Sequence, residues 1–70
     1  MGSSEQAVLW YQKAAEQGHV DSQYRLGLEY YSGDVVSQDE DRAVTFFWKA
    51  AKQGHVEAKE AVEEALNYLE

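Results

Sequence analysis

Residues 13–19 read KAAEQGH, and residues 49–55 read KAAKQGH. The offset is 36 residues, and the agreement runs well past this short core. Ala7 and Val8 meet Ala43 and Val44, while Gln17, Gly18, His19 and Val20 meet Gln53, Gly54, His55 and Val56. Trp10 and Tyr11 meet Phe46 and Phe47, Asp21 meets Glu57, and Leu26 meets Val62. A catalytic motif is needed once, so duplication at a fixed spacing points to architecture. A period of roughly 20–50 residues indicates a stacked repeat array.

Each copy reads as a helical hairpin. Ala7, Tyr11 and Ala14, flanked by Val8, Trp10 and Ala15, follow the i, i+3, i+4 rule of one helix face. Ser3 and Gln6 form a capping box ahead of them, and Gly18 supplies a left-handed stop, so the first helix is expected over about 4–17. Asp21 opens the second helix, about 21–32, pairing with Arg25 one turn on, and Gly33 closes it. The loop GDVVSQ follows, with Val35 or Val36 tucked under the neighbouring helices. Asp39 caps a third helix over about 40–53, which Gly54 ends. A fourth runs from about Glu57 to Leu69 on the stripe Ala58, Ala61, Val62, Ala65, Leu66 and Leu69. Ala14, Ala15, Ala50 and Ala51 are expected at helix–helix contacts, where larger side chains would push the helices apart. The expected fold is all-α: two stacked helix–turn–helix repeats, four antiparallel helices, a fragment of an α-solenoid. One domain spans 1–70, with repeat one at about 3–38 and repeat two at about 39–70.

Composition narrows the function classes. A chain of 70 residues buries only about 60% of its unfolded surface. It has no cysteine, so neither disulfides nor thiolate zinc contribute to its stability. Thirteen acidic residues against six basic ones give a net charge of −7, which disfavours nucleic acid and anionic membranes and favours basic partners. No apolar run approaches the ~20 residues of a membrane span. The ends MGSS and LE read as cloning remnants of an excerpt from a longer protein. The absence of cysteine and of a signal peptide is compatible with a cytoplasmic location.

The chemistry-bearing residues have plain structural readings. His19 and His55 sit in equivalent turns, about 10 Å apart if the hairpins stack, too far to share an ion. Glu60, Glu63 and Glu64 share a helix side, and a solvated face explains them better than acid–base catalysis, which needs a dry cleft. There is no serine elbow, cysteine nucleophile, HExxH or phosphate-cradling loop. The reading is of a non-enzyme without metal or cofactor.

Over nearly the whole chain, KAAEQGH followed by LGLEYYSG at a 36-residue period resembles tandem Sel1-like repeats, relatives of the tetratricopeptide repeats. Two departures stand out. Gly33-Asp34-Val35-Val36 lacks the second glycine of the family's usual loop, and Glu63 and Glu64 replace Gly27 and Leu28 in the second unit. A glycine at Gly27 admits the next hairpin closely, whereas a glutamate in its place faces water, as in a capping repeat.

Helix 2 is apolar on two sides: Tyr24, Leu28 and Tyr31 on one, Leu26 and Tyr30 on the other. Either both are buried because the helix is central, or one lines a groove. The resemblance implies that the Leu-Gly helix lines the concave surface. Carried over, the partner-binding stripe is Tyr24, Leu28, Tyr31 and Ser32, with Glu60, Glu64, Asn67 and Tyr68 at the equivalent places in unit two. The resemblance also implies an adaptor or scaffold that binds a protein or peptide, with basic residues preferred on charge grounds. The alternative is a truncated or designed minimal scaffold with no physiological partner. Val8, Trp10 and Tyr11 on the first helix have no hairpin before them, so weak self-association is expected.

Overall fold

The duplicated stretch encodes a complete joint between two helices. In the computed structural model, which describes residues 5–68, α1 spans Glu5–Glu16, α2 Val20–Ser32, α3 Glu40–Lys52 and α4 Val56–Tyr68. At the end of α1, Gly18 takes φ +87° and its N–H reaches the Ala15 carbonyl at 3.0 Å. The His19 N–H reaches the Ala14 carbonyl at 3.0 Å. This pair of bonds is a Schellman stop, which satisfies carbonyls that the helix end orphans. The end of α3 repeats it: Gly54 at φ +94°, Gly54 to Ala51 at 3.0 Å, His55 to Ala50 at 3.2 Å.

The last residue of each joint then starts the next helix. The His19 ring accepts from the Ser22 N–H at 3.2 Å through Nδ1, and the His55 ring accepts from the Ala58 N–H at 3.1 Å in the same way. Histidine thus stands in for the Ser, Thr, Asp or Asn usual at this place. Both α2 and α4 therefore begin one residue earlier than the sequence reading placed them. Asp21 is the second residue of α2 rather than its first, and it does pair with Arg25 at 3.0 Å. Asp39 caps α3 as expected, accepting from the Arg42 N–H at 3.1 Å. The capping box at Ser3 lies outside the described residues.

The helices pack in chain order, α1 on α2, α2 on α3, α3 on α4, with α2 against α3 the most extensive contact. Between α1 and α2 the core is Val8, Ala15 and Leu26, with Tyr11, Tyr30, Val35, Val36 and Phe46 packed around it. Both loop valines therefore fold under the helices. Burying Leu26 is worth about 2 kcal/mol on transfer grounds. Farther along, Ala43, Phe47, Ala50 and Ala58 are buried. A Cβ on Gly27 would stand 2.7 Å from two Phe47 ring carbons and 3.2 Å from the Ala43 carbonyl. Close approach of α3 thus demands glycine there.

Three expectations need correction. Val8 is core rather than an outward anchor, although Trp10 and Leu9 beside it are 59% and 57% exposed. Of the four spacing alanines, Ala15 and Ala50 are buried, while Ala14 and Ala51 are half-buried because they face the helix edge. In α4 only Ala58 is buried among the described side chains. Ala61, Val62 and Ala65 are half-covered and Leu66 is 58% exposed, since among the described helices only α3 packs extensively on α4. Leu69 lies outside the described residues.

Candidate functional site

The two apolar sides of α2 meet different fates. Leu26 goes into the core, with Tyr30 half-buried against it, whereas Tyr24 is half-buried and Leu28 and Tyr31 stay exposed. The exposed side forms one wall of a trough of about 650 Å³. Val44 and Phe47 of α3 form its floor, and Ala61 and Ala65 of α4 give its far wall an apolar strip. Five carboxylates border it: Glu40 and Asp41 from α3, and Glu57, Glu60 and Glu64 from α4. No basic side chain is among its lining residues.

Position on the helices explains this charge. Glu57, Glu60 and Glu64 recur at helical spacing on one side of α4. Glu40 and Asp41 occupy the first turn of α3, where the helix dipole favours anions. At one end of the trough Tyr24 stacks on His55 with ring centroids 4.5 Å apart and leans on Phe47 at 5.7 Å. The His55 side chain is only 14% exposed, and its Nε2 faces Asp21 Oδ1 at 3.5 Å. Since Nδ1 accepts the Ala58 N–H, the ring proton belongs on Nε2, toward that carboxylate. The Arg25 guanidinium, hydrogen-bonded to Asp21, holds that carboxyl below its ordinary range; desolvation opposes it, and the nearby His55 adds a lesser lowering. His55 thus ties the start of α4 to the start of α2.

Behind this contact runs a polar line. The Gln53 amide donates to Gln23 Oε1 at 2.8 Å, and the Gln23 amide donates to the Ala15 carbonyl at 3.3 Å. The second joint is therefore linked, through Gln23 at the start of α2, to the first joint at Ala15.

Of the residues the sequence nominated, Tyr24, Leu28, Tyr31, Glu60 and Glu64 come together in the trough. Ser32 does not line it; its hydroxyl donates back to the Glu29 carbonyl at 3.3 Å. Asn67 is exposed and also outside the lining, and the Tyr68 side chain lies outside the described residues. Sequence reading missed the contribution of α3, because Glu40 and Asp41 look like helix-start acids and Val44 and Phe47 like core. It missed Glu57 too, though the run 57, 60, 61, 64, 65 traces one helix side. Among the described residues no group of three or more His, Cys, Asp or Glu is arranged to hold a metal ion. No described helix is long and apolar enough to cross a membrane.

The Leu26-Gly27 helix packs through its glycine on α3, whose KAAxQGH joint repeats that of α1 at 36 residues. The Sel1 repeat profile matches residues 3–19 and 20–55. This chain belongs to the Sel1 repeat family. The longer match covers α2 and α3 together, the pair with the most extensive packing, and so runs half a unit out of phase with boundaries at 3–38 and 39–70. A periodic array permits either phase. Sel1 repeats form helical solenoids, generally mediate protein–protein contact, and are scaffolds rather than enzymes. No significant match to a curated protein or to a solved structure was found.

Proposed function

We propose that this Sel1 repeat chain is an adaptor module whose trough between α2 and α4 takes a short peptide with an apolar anchor flanked by basic residues. One observation carries the reading: the apolar stripe of Tyr24, Leu28 and Tyr31 faces five carboxylates across a concavity lined by no basic side chain. Aromatic rings give contact area at low entropic cost, and the acids orient Lys or Arg side chains beside the anchor. The trough is short, so the interface is below about 1,200 Å² and the affinity modest. Added salt weakens it further, because the carboxylates are at the surface.

Chemical-shift titration with basic-apolar and acidic-apolar peptide pools tests this. The basic pool is expected to move amides of α2, α4 and the first half of α3. Leu28→Ser with Tyr31→Ser, both exposed positions, is expected to reduce that response at least tenfold without lowering the melting temperature. Equal response to both pools at the trough rejects the peptide class. No response at all leaves a repeat scaffold without a partner at this groove.

A further inference from the structure

The opposite side of α2 carries a second concavity of contrasting character. Between α1 and α3, a cleft of about 380 Å³ opens over the Leu26 and Tyr30 side of α2. Its floor is built from rings: Tyr30 and Phe46 lie parallel, 2° between planes and 5.8 Å between centroids. Two cations sit on that pair. The Arg42 guanidinium lies 5.7 Å from the Tyr30 centroid, and Lys49 Nζ lies 5.3 Å from the Phe46 centroid. Both line the cleft, so a chain of net charge −7 places two of its six basic side chains over one aromatic floor. The wall contributed by α1 holds Gln12 and Glu16.

We infer that the cleft between α1 and α3 is a second interaction site, for an acidic peptide segment bearing an aromatic or large apolar residue. Charge complementarity selects the occupant. Carboxylates meet Arg42 and Lys49 along α3, and the ligand's apolar residue covers the exposed edges of Tyr30 and Phe46. Glu16 repels a second row of acids on the α1 side, so the ligand's neutral edge lies toward Gln12. The Arg42 guanidinium now pairs with Asp39 at 3.4 Å, but the Arg42 side chain is largely exposed and that of Asp39 partly so. An exposed pair of this kind contributes little, so a ligand carboxylate displaces Asp39 at small cost. Asp39 keeps its capping bond, which comes from the Arg42 backbone N–H. The module thus presents two faces of opposite preference on either side of α2, and this second face does not depend on the ligand proposed for the trough.

The test titrates isotope-labelled protein at low salt with a peptide in which Glu residues flank a single Tyr. Shifts are expected at Gln12, Arg42, Phe46 and Lys49, with α4 silent. Arg42→Glu combined with Lys49→Glu is expected to weaken binding at least tenfold. Arg42→Gln with Lys49→Gln is expected to weaken it several-fold and serves if the reversed variant folds poorly. Binding of the basic-apolar pool at the trough stays unchanged in both. No shifts with the acidic peptide, shifts confined to α2 and α4, or unaltered binding by the neutral variant would each overturn the assignment. So would concentration-dependent shifts of the same four residues in protein alone with a matching rise in sedimentation, which would make a second copy of the chain the occupant.

Discussion

Helices α2 and α4 are copies of one another at a 36-residue offset, yet they are built into the molecule differently. In α2, Ser22, Gln23, Leu26, Gly27 and Glu29 are buried, because α1 covers one side and α3 another. In α4, the counterpart of Ser22 is Ala58, buried completely, but those of Leu26, Gly27 and Leu28 are Val62, Glu63 and Glu64, half-covered or exposed. The same joint begins both helices, with histidine at the cap each time. Local code therefore sets where a helix starts, and the number of neighbours sets how much of it is core. The substitutions follow the neighbours: glycine where a phenylalanine ring must come close, glutamate where water does.

Substitution at matched sites sharpens this contrast. The largest effect is expected at Gly27→Leu, which drives a side chain into Phe47 and should cost about 3 kcal/mol by overpacking. Glu63→Leu, its counterpart, should change stability by less than about 0.5 kcal/mol. Urea midpoints that fall equally for both would show that α2 and α4 are equally enclosed. Ala50→Leu comes next, at about 1–3 kcal/mol, since that alanine has no exposed surface. The half-buried Ala51 beside it should lose less than half as much, and equal losses would contradict the packing of α3.

The two capping histidines are expected to differ by what surrounds them. His55→Ala removes a cap and the stack on Tyr24, together about 2 kcal/mol. His19→Ala removes a cap and only a looser edge contact, with Trp10 at 6.2 Å, on an exposed turn, about 1 kcal/mol. Thermal melts of both, with His55→Asn restoring only the cap, separate the two contributions. The smallest effect concerns Asp21. Its carboxyl is held below its ordinary range, so its stabilising contribution is complete above the ordinary aspartate value and is lost as the pH falls through the depressed one. Asp21→Asn should leave a slightly shallower acid limb in the melting temperature against pH profile. An unchanged limb would mean that the pairing with Arg25 and His55 contributes nothing in solution.

The candidate trough was half legible. Tyr24, Leu28 and Tyr31 stood out because two apolar stripes on one helix exceed what a single core face needs. Glu60 and Glu64 followed by transfer across the repeat. Ser32, on the same stripe, and Asn67, transferred from Tyr31, lie outside the lining of the trough. Glu40 and Asp41 were hidden because an acid in a first helical turn satisfies the dipole whether or not it also borders a groove.

From sequence alone come the four helices, their joints and the 36-residue period. Schellman stops, left-handed glycines and caps are interactions among residues within five positions of one another, and their chemistry is written in consecutive letters. Tertiary structure decided which side of each helix is enclosed. It made Val8 core and left Leu66 exposed, it brought the start of α3 to the trough, and it set Arg42 and Lys49 above Tyr30 and Phe46. Burial and charge juxtaposition depend on neighbours far away in the chain, and a periodic sequence writes the same letters whether a neighbour is present or not.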